Sequence, residues 1–81
     1  MSYPREGIAA RVAVAKARLE SVGLQPTRLY LGNEEWEELR EMAEAYMGFR
    51  LDKNAAGSRR PEFQGMKLFS VDEDTHLGVG E

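Results

Sequence analysis

Eighty-one residues with no cysteine and a net charge of −3 make a single domain, 1–81, near the lower size limit for one hydrophobic core, with disulfides and thiolate zinc sites excluded. One histidine, His76, cannot build a histidine-rich metal site, and the acidic balance argues against general binding of nucleic-acid phosphates. No apolar run approaches a membrane span and no signal peptide is evident, so the expectation is a soluble protein of the cytoplasm.

Pro4 to Val22 reads as a first helix. Ile8, Val12, Ala15, Leu19 and Val22 recur at spacings of four and three, which is one apolar stripe of an amphipathic helix. Pro4 suits the first turn, and Gly23 supplies a left-handed residue to end it. Leu24-Gln25-Pro26 breaks the helix. Thr27 to Leu31 then alternates as a short strand, with Leu29 and Leu31 on one face and Tyr30 on the other.

Gly32-Asn33 leads into a second helix, Glu34 to Met47, with Asn33 as the expected N-cap. Glu34, Glu35, Glu37 and Glu38 crowd its first turns, where the positive end of the helix dipole favours carboxylates. Trp36, Leu39, Ala43 and Tyr46 form its expected buried face, and Gly48 ends it. Met42, Met47 and Met66 read as gap-filling core residues.

Residues 48–62 form a long connection that inverts the charge of the chain. From Gly48 to Arg60, four bases (Arg50, Lys53, Arg59, Arg60) face one acid, Asp52, whereas the rest carries seven bases against thirteen acids. Such loops in compact domains are uncommon unless they work or are disordered. Phe63 to Val71 reads as one strand, with Met66 and Leu68 on one face and Phe63, Phe69 and Val71 on the other. Asp72 to Thr75 is a turn, and His76 to Val79 returns as a strand expected to form an antiparallel hairpin with the preceding one. The resulting fold class is α+β: a small α-β-α-β-β domain whose three-stranded sheet has two helices on one face. A strand–helix–strand unit of this kind crosses over right-handed when its strands are parallel. The other face would be thinly covered, and an apolar face left bare on so small a chain is a partner site by default.

No constellation for catalysis accompanies this plan. His76 lies close to Asp72 and Asp74, yet those aspartates are explained by turn hydrogen bonds, and no nucleophile setting such as Gly-x-Ser-x-Gly is present. The acidic turn lacks the glycine and distal glutamate of a calcium loop, and the glycines form no phosphate-cradling run. Arg59-Arg60 beside Gly57-Ser58 could hold an anion, or could be incidental arginines of a solvated loop. No cofactor or metal is expected.

The run Gln25 to Gly32, the acidic helix around Trp36 and Leu39, Phe63 to Phe69 and His76 to Val79 together resemble small proteins of tailed phages and prophages. They are also similar to a local pattern in phage head proteins, where Pro-Thr introduces one strand and an aromatic-x-Gly-hydrophobic strand closes the unit. That resemblance covers about two thirds of the chain and implies a virion component or small accessory protein, so the virion joins the host cytoplasm as an expected location. It carries no catalytic residues with it. The residues expected to meet a protein partner, with a homo-oligomer as the first case, are Arg50, Lys53, Arg59, Arg60 and Tyr30 on one side and Glu37, Glu38 and Glu41 on the other. Two alternatives remain: an acidic inhibitor of a host protein, with the second helix imitating phosphates, and a binder of a small anionic ligand or nucleotide at the basic loop.

Overall fold

In the computed structural model the described residues are 7–48, 51 and 60–81, with the side chain of Met47 excepted. The elements follow the order helix α1 (Ile8–Ser21), strand β1 (Arg28–Leu31), helix α2 (Asn33–Met42) continuing as a π-helical turn (Ala43–Met47), then strands β2 (Glu62–Phe63), β3 (Met66–Ser70) and β4 (Leu77–Gly80). Pro4, Arg50, Lys53, Gly57, Ser58 and Arg59 lie outside the described residues.

The α+β class holds, with both helices on one face of the sheet, but the sheet has four strands in the order β2-β3-β1-β4. β1 and β3 run parallel, joined through α2, with Tyr30 opposite Phe69 and Leu29 opposite Leu68. The expected hairpin between the last two strands is not formed. β4 instead runs antiparallel to β1, on the side away from β3. The sequence between β3 and β4 explains this placement. The 72–76 turn accepts hydrogen bonds from the start of α2, just after β1, and so carries the chain past β1 to its free edge.

The stretch read as one strand from Phe63 to Val71 is two strands around a tight turn. Gln64 and Gly65 both have positive φ, 53° and 81°, as a two-residue hairpin turn of the primed kind requires. Phe63 is therefore paired with Met66 and shares its face. Unbroken alternation through 63–71 places Phe63 beside Phe69 and Val71, whereas the turn puts it in the core. Lys16 Nζ donates to the Gln64 carbonyl at 2.8 Å, and Gln64 Nε2 donates to the Ala9 carbonyl at 3.0 Å, so α1 is pinned to this turn.

The core gathers Ile8 and Val12 from α1, Leu29 and Leu31 from β1, Trp36 and Leu39 from α2, and Phe63, Met66 and Leu68 from β2 and β3. Leu77 and Val79 of β4 close it at one edge, paired with Leu31 and Leu29. Of the expected α1 stripe, Ala15 and Leu19 are half-buried and Val22 is exposed, because the helix stops at Ser21 and Val22 serves as its C-cap. Gly23, with φ of 84°, completes a Schellman ending: its N–H donates to the Glu20 carbonyl and that of Leu24 to the Leu19 carbonyl.

Two expectations for the second helix change. Asn33 is not its N-cap; Gly32 occupies that position without a side-chain bond. The N–H groups of Gly32, Asn33 and Glu34 donate instead to the carbonyls of His76, Glu73 and Asp74, so the turn before β4 satisfies the helix start. Tyr46 is 85% exposed rather than buried. The π-helical turn carries an extra residue per hydrogen-bonded loop, so a three-residue step from the buried Ala43 no longer returns to the core face. Gly48 ends the turn with φ of 70°, as its position in the sequence suggests.

Candidate functional site

The helix-free face of the sheet is built by strand alternation alone. In β1, Leu29 and Leu31 point into the core, so Arg28 and Tyr30 point away from it. The register then sets Lys67 beside Arg28 and Phe69 beside Tyr30, with Glu62 beside Lys67 on β2. On β4 the residues opposite Arg28 and Tyr30 are Gly80 and Gly78, which present no side chain to this face.

Across this face runs a layered row. Tyr30 and Phe69 stack with ring centroids 5.3 Å apart and planes 27° from parallel. From the β2 side, the Arg60 guanidinium lies 4.2 Å from the Phe69 centroid, a cation–π contact. Arg60 Nη1 also donates to the Leu68 carbonyl at 3.1 Å, and the Leu68 N–H donates to the Pro61 carbonyl, so the chain before β2 shields the outer edge of β3. At the far end the His76 imidazole lies over Gly78, 3.0 Å from where a Cβ would stand. Tyr30, Phe69 and Arg60 are each half-buried, while Arg28, Lys67 and Glu62 are exposed. Among the described residues this face thus carries Arg28, Arg60 and Lys67 against Glu62.

Along α2 the described charged side chains are mostly acidic. Asn33, Glu34, Glu37, Glu38 and Glu41 line an open groove of about 440 Å³ along α2. Arg40 bridges Glu37 and Glu44 at 2.7 and 2.6 Å, and these carboxylates raise the pKa of its guanidinium, the Glu37 hydrogen bond most of all. Arg11 reaches from α1 to Glu38 and, at 3.9 Å, to Glu35. Among the described residues, the guanidiniums of Arg40 and Arg11 thus draw on four of the six carboxylates between Glu34 and Glu44.

Glu35 differs from its neighbours. It is only 5% exposed, and its Oε1 accepts the His76 backbone N–H at 2.9 Å. It sits inside a run of surface glutamates in the sequence, and the one sign of this structural role is its spacing of four residues from the buried Leu39. His76 is exposed, and among the described residues no group of histidine and carboxylate side chains is arranged to hold a metal ion. No helix among them is long and apolar enough to cross a membrane.

Of the residues expected to meet a partner, the structure brings Tyr30 and Arg60 into one row on the sheet and Glu37, Glu38 and Glu41 into one groove on the helices. Arg50, Lys53 and Arg59 lie outside the described residues. Sequence reading missed Lys67 and Arg28 as part of the cationic face. The alternation that placed Tyr30 there applies equally to Arg28, and to Lys67 once the β1–β3 register is known. No protein-family model matches the chain, and neither the curated proteins nor the solved structures yield a match.

Proposed function

We propose that this protein works without catalysis, as a contact protein that docks another protein chain on the helix-free face of its sheet. The observation that supports this most directly is the Arg60–Phe69–Tyr30 row, an aromatic and cationic strip that is half-exposed on the face of the sheet away from α1 and α2. Rings with one edge in contact with the fold and the other toward solvent, beside arginines, are the residue types that anchor protein interfaces. Base stacking fits less well. Arg60 and Tyr30 both lie against Phe69, so that ring is not a free platform.

Taken with the resemblance to small proteins of tailed phages and prophages, the docked chain belongs to a phage particle or to its assembly, and the protein serves in the virion or in the host cytoplasm. The second reading is an acidic inhibitor of a host protein through the α2 groove. The groove lends it a surface, but Arg40 and Arg11 already draw on four of the six carboxylates. For the third reading, capture of a small anion at the basic loop, Arg60 is committed to Phe69 and the Leu68 carbonyl.

The test is a photo-crosslinking amino acid placed at Tyr30 and, as control, at the exposed Arg18 of α1, with both proteins produced in the native host. Protein adducts from position 30 and none from position 18 are expected. Equal labelling from both positions, or no protein adduct from position 30, overturns the reading.

A further inference from the structure

We infer that a second copy of this protein pairs with the outer edge of β4, so that two sheets join into one across a two-fold axis. The inference concerns the edge of the sheet and stands apart from the docking face proposed above. It starts from the backbone. The Gly32 N–H donates to the His76 carbonyl at 2.9 Å, and the register sets Tyr30 opposite Gly78 and Arg28 opposite Gly80. In an antiparallel ladder bonded pairs alternate with non-bonded ones, so His76, Gly78 and Gly80 turn their N–H and C=O groups toward β1. Leu77 and Val79 turn theirs the other way, out of the sheet. β4 is the last strand on that side, and among the described residues nothing bonds to those outward groups.

The two ends of the sheet differ in their protection. At the β2 end, the Pro61 carbonyl and the Arg60 guanidinium take up the outward groups of Leu68. The β4 edge, Leu77-Gly78-Val79-Gly80, carries neither a charge nor a proline, the residues that blunt an edge. Apolar surface accompanies it. Val14, 44% exposed, lines an open groove with Arg11, Ala15, Arg18 and Leu77. Leu24, 40% exposed, lies toward the other end of β4, where the Gln25 N–H donates to the Glu81 carboxylate.

The occupant follows from the register. An antiparallel pairing centred on Gly78 sets Leu77 opposite Val79 of the second copy, and their outward groups then meet as a bonded pair, twice over by symmetry. Gly78 meets its own copy at the non-bonded position, where Cα atoms approach to about 4.5 Å. His76 meets Gly80, which has no side chain. On the helix side, Leu77 and Val79 continue one apolar row across the junction. The segment is thus complementary to itself and holds no charge that repels its copy. Each copy has one such edge among the described residues, so the pairing closes as a dimer and stops. β1 and its copy then stand three strand spacings apart, which puts the two Tyr30 positions about 14 Å from each other on one continuous face. An edge this short buries little, so the dimer is weak.

The experiment follows the whole chain up to about 1 mM by analytical ultracentrifugation and by amide hydrogen exchange in NMR. Wild type is expected to pass from monomer to dimer and no further, with the Leu77 and Val79 amides gaining protection as the dimer forms. Gly78→Lys and Gly78→Glu each set like charges face to face at the junction. A Cβ at Gly78 meets only the end of the His76 side chain, 3.0 Å from Nε2, so the fold tolerates both, with circular dichroism as the check. Each variant should dimerise at least about tenfold more weakly than wild type, and mixing the two should restore a dimer containing one of each. If the substitutions disturb the fold, N-methylation of Val79 in a chemically synthesised chain removes an outward donor and should keep the protein monomeric. A wild type that is monomeric at the highest concentration overturns the inference, as does a dimer that leaves the Leu77 and Val79 amides unprotected. So do variants that dimerise like wild type, a mixture that stays monomeric, or protection of those amides only when a different protein is added.

Discussion

Gly32 is the residue on which the topology turns. A Cβ there would stand 2.6 Å from the His76 backbone nitrogen and 2.8 Å from the Thr75 carbonyl carbon, so nothing larger fits without moving the turn. That turn supplies the carbonyls that satisfy the first N–H groups of α2. Gly32→Ala is therefore expected to cost roughly 3 kcal/mol, the upper range for overpacking at a site where the neighbour is backbone. A thermal melt that moves by less than about 3 °C would contradict this account. Glu35 guards the same junction from the helix side by accepting the His76 N–H while buried. Glu35→Ala should lose about 1–3 kcal/mol by leaving that donor unpaired. Glu35→Gln keeps an acceptor oxygen and should lose clearly less; equal losses for the two would show that the hydrogen bond is not what matters.

At the scale of elements, what the sequence revealed and what it hid divide along local and non-local lines. The α1 stripe at Ile8 and Val12, the alternation in β1 and the glycine endings at Gly23 and Gly48 depend on neighbours within a few residues, and the sequence shows them. The partner of β4 does not. Leu77 and Val79 alternate as a strand beside any neighbour; β2 already holds the outer edge of β3, and the bonds from α2 to the 72–76 turn lead β4 to β1. Phe63 was misplaced because Gln64, a residue seldom found at positive φ, occupies the first position of a tight turn and hides it. The site was legible to the same degree. Tyr30 could be placed by alternation, while the stack with Phe69 needed the parallel register. Tyr46 was lost to the π-helical turn, whose extra residue no hydrophobic period announces. This separates the two aromatic residues of the second helix. Trp36→Ala, which empties a core position, should cost about 3–5 kcal/mol. Tyr46→Ser should change stability by no more than about 0.5 kcal/mol, as for surface positions. Chemical denaturation of the two variants checks the pair, and a large loss at Tyr46 would mean that the ring packs in solution.

For the whole molecule, the consequence is that the last ten residues are not an appendage. β4 pairs along all of β1, from Arg28 with Gly80 to Leu31 with Leu77, and so converts the most buried strand from an edge into an interior one. The turn before it caps α2, and Leu77 and Val79 complete the core beneath α1. Removing 72–81 would strip three supports at once: the ladder on one side of β1, the partners of the α2 start and an edge of the core. A strand such as Leu29-Tyr30-Leu31 with its hydrogen-bonding groups bare is also a template for pairing between chains. Truncation after Val71 should therefore abolish cooperative unfolding and produce aggregation. Urea titration of the truncated chain measures the first effect and light scattering the second. A truncated chain that still melts in one sharp transition would mean that β1, β3 and the two helices suffice for the fold, and that β4 only decorates it.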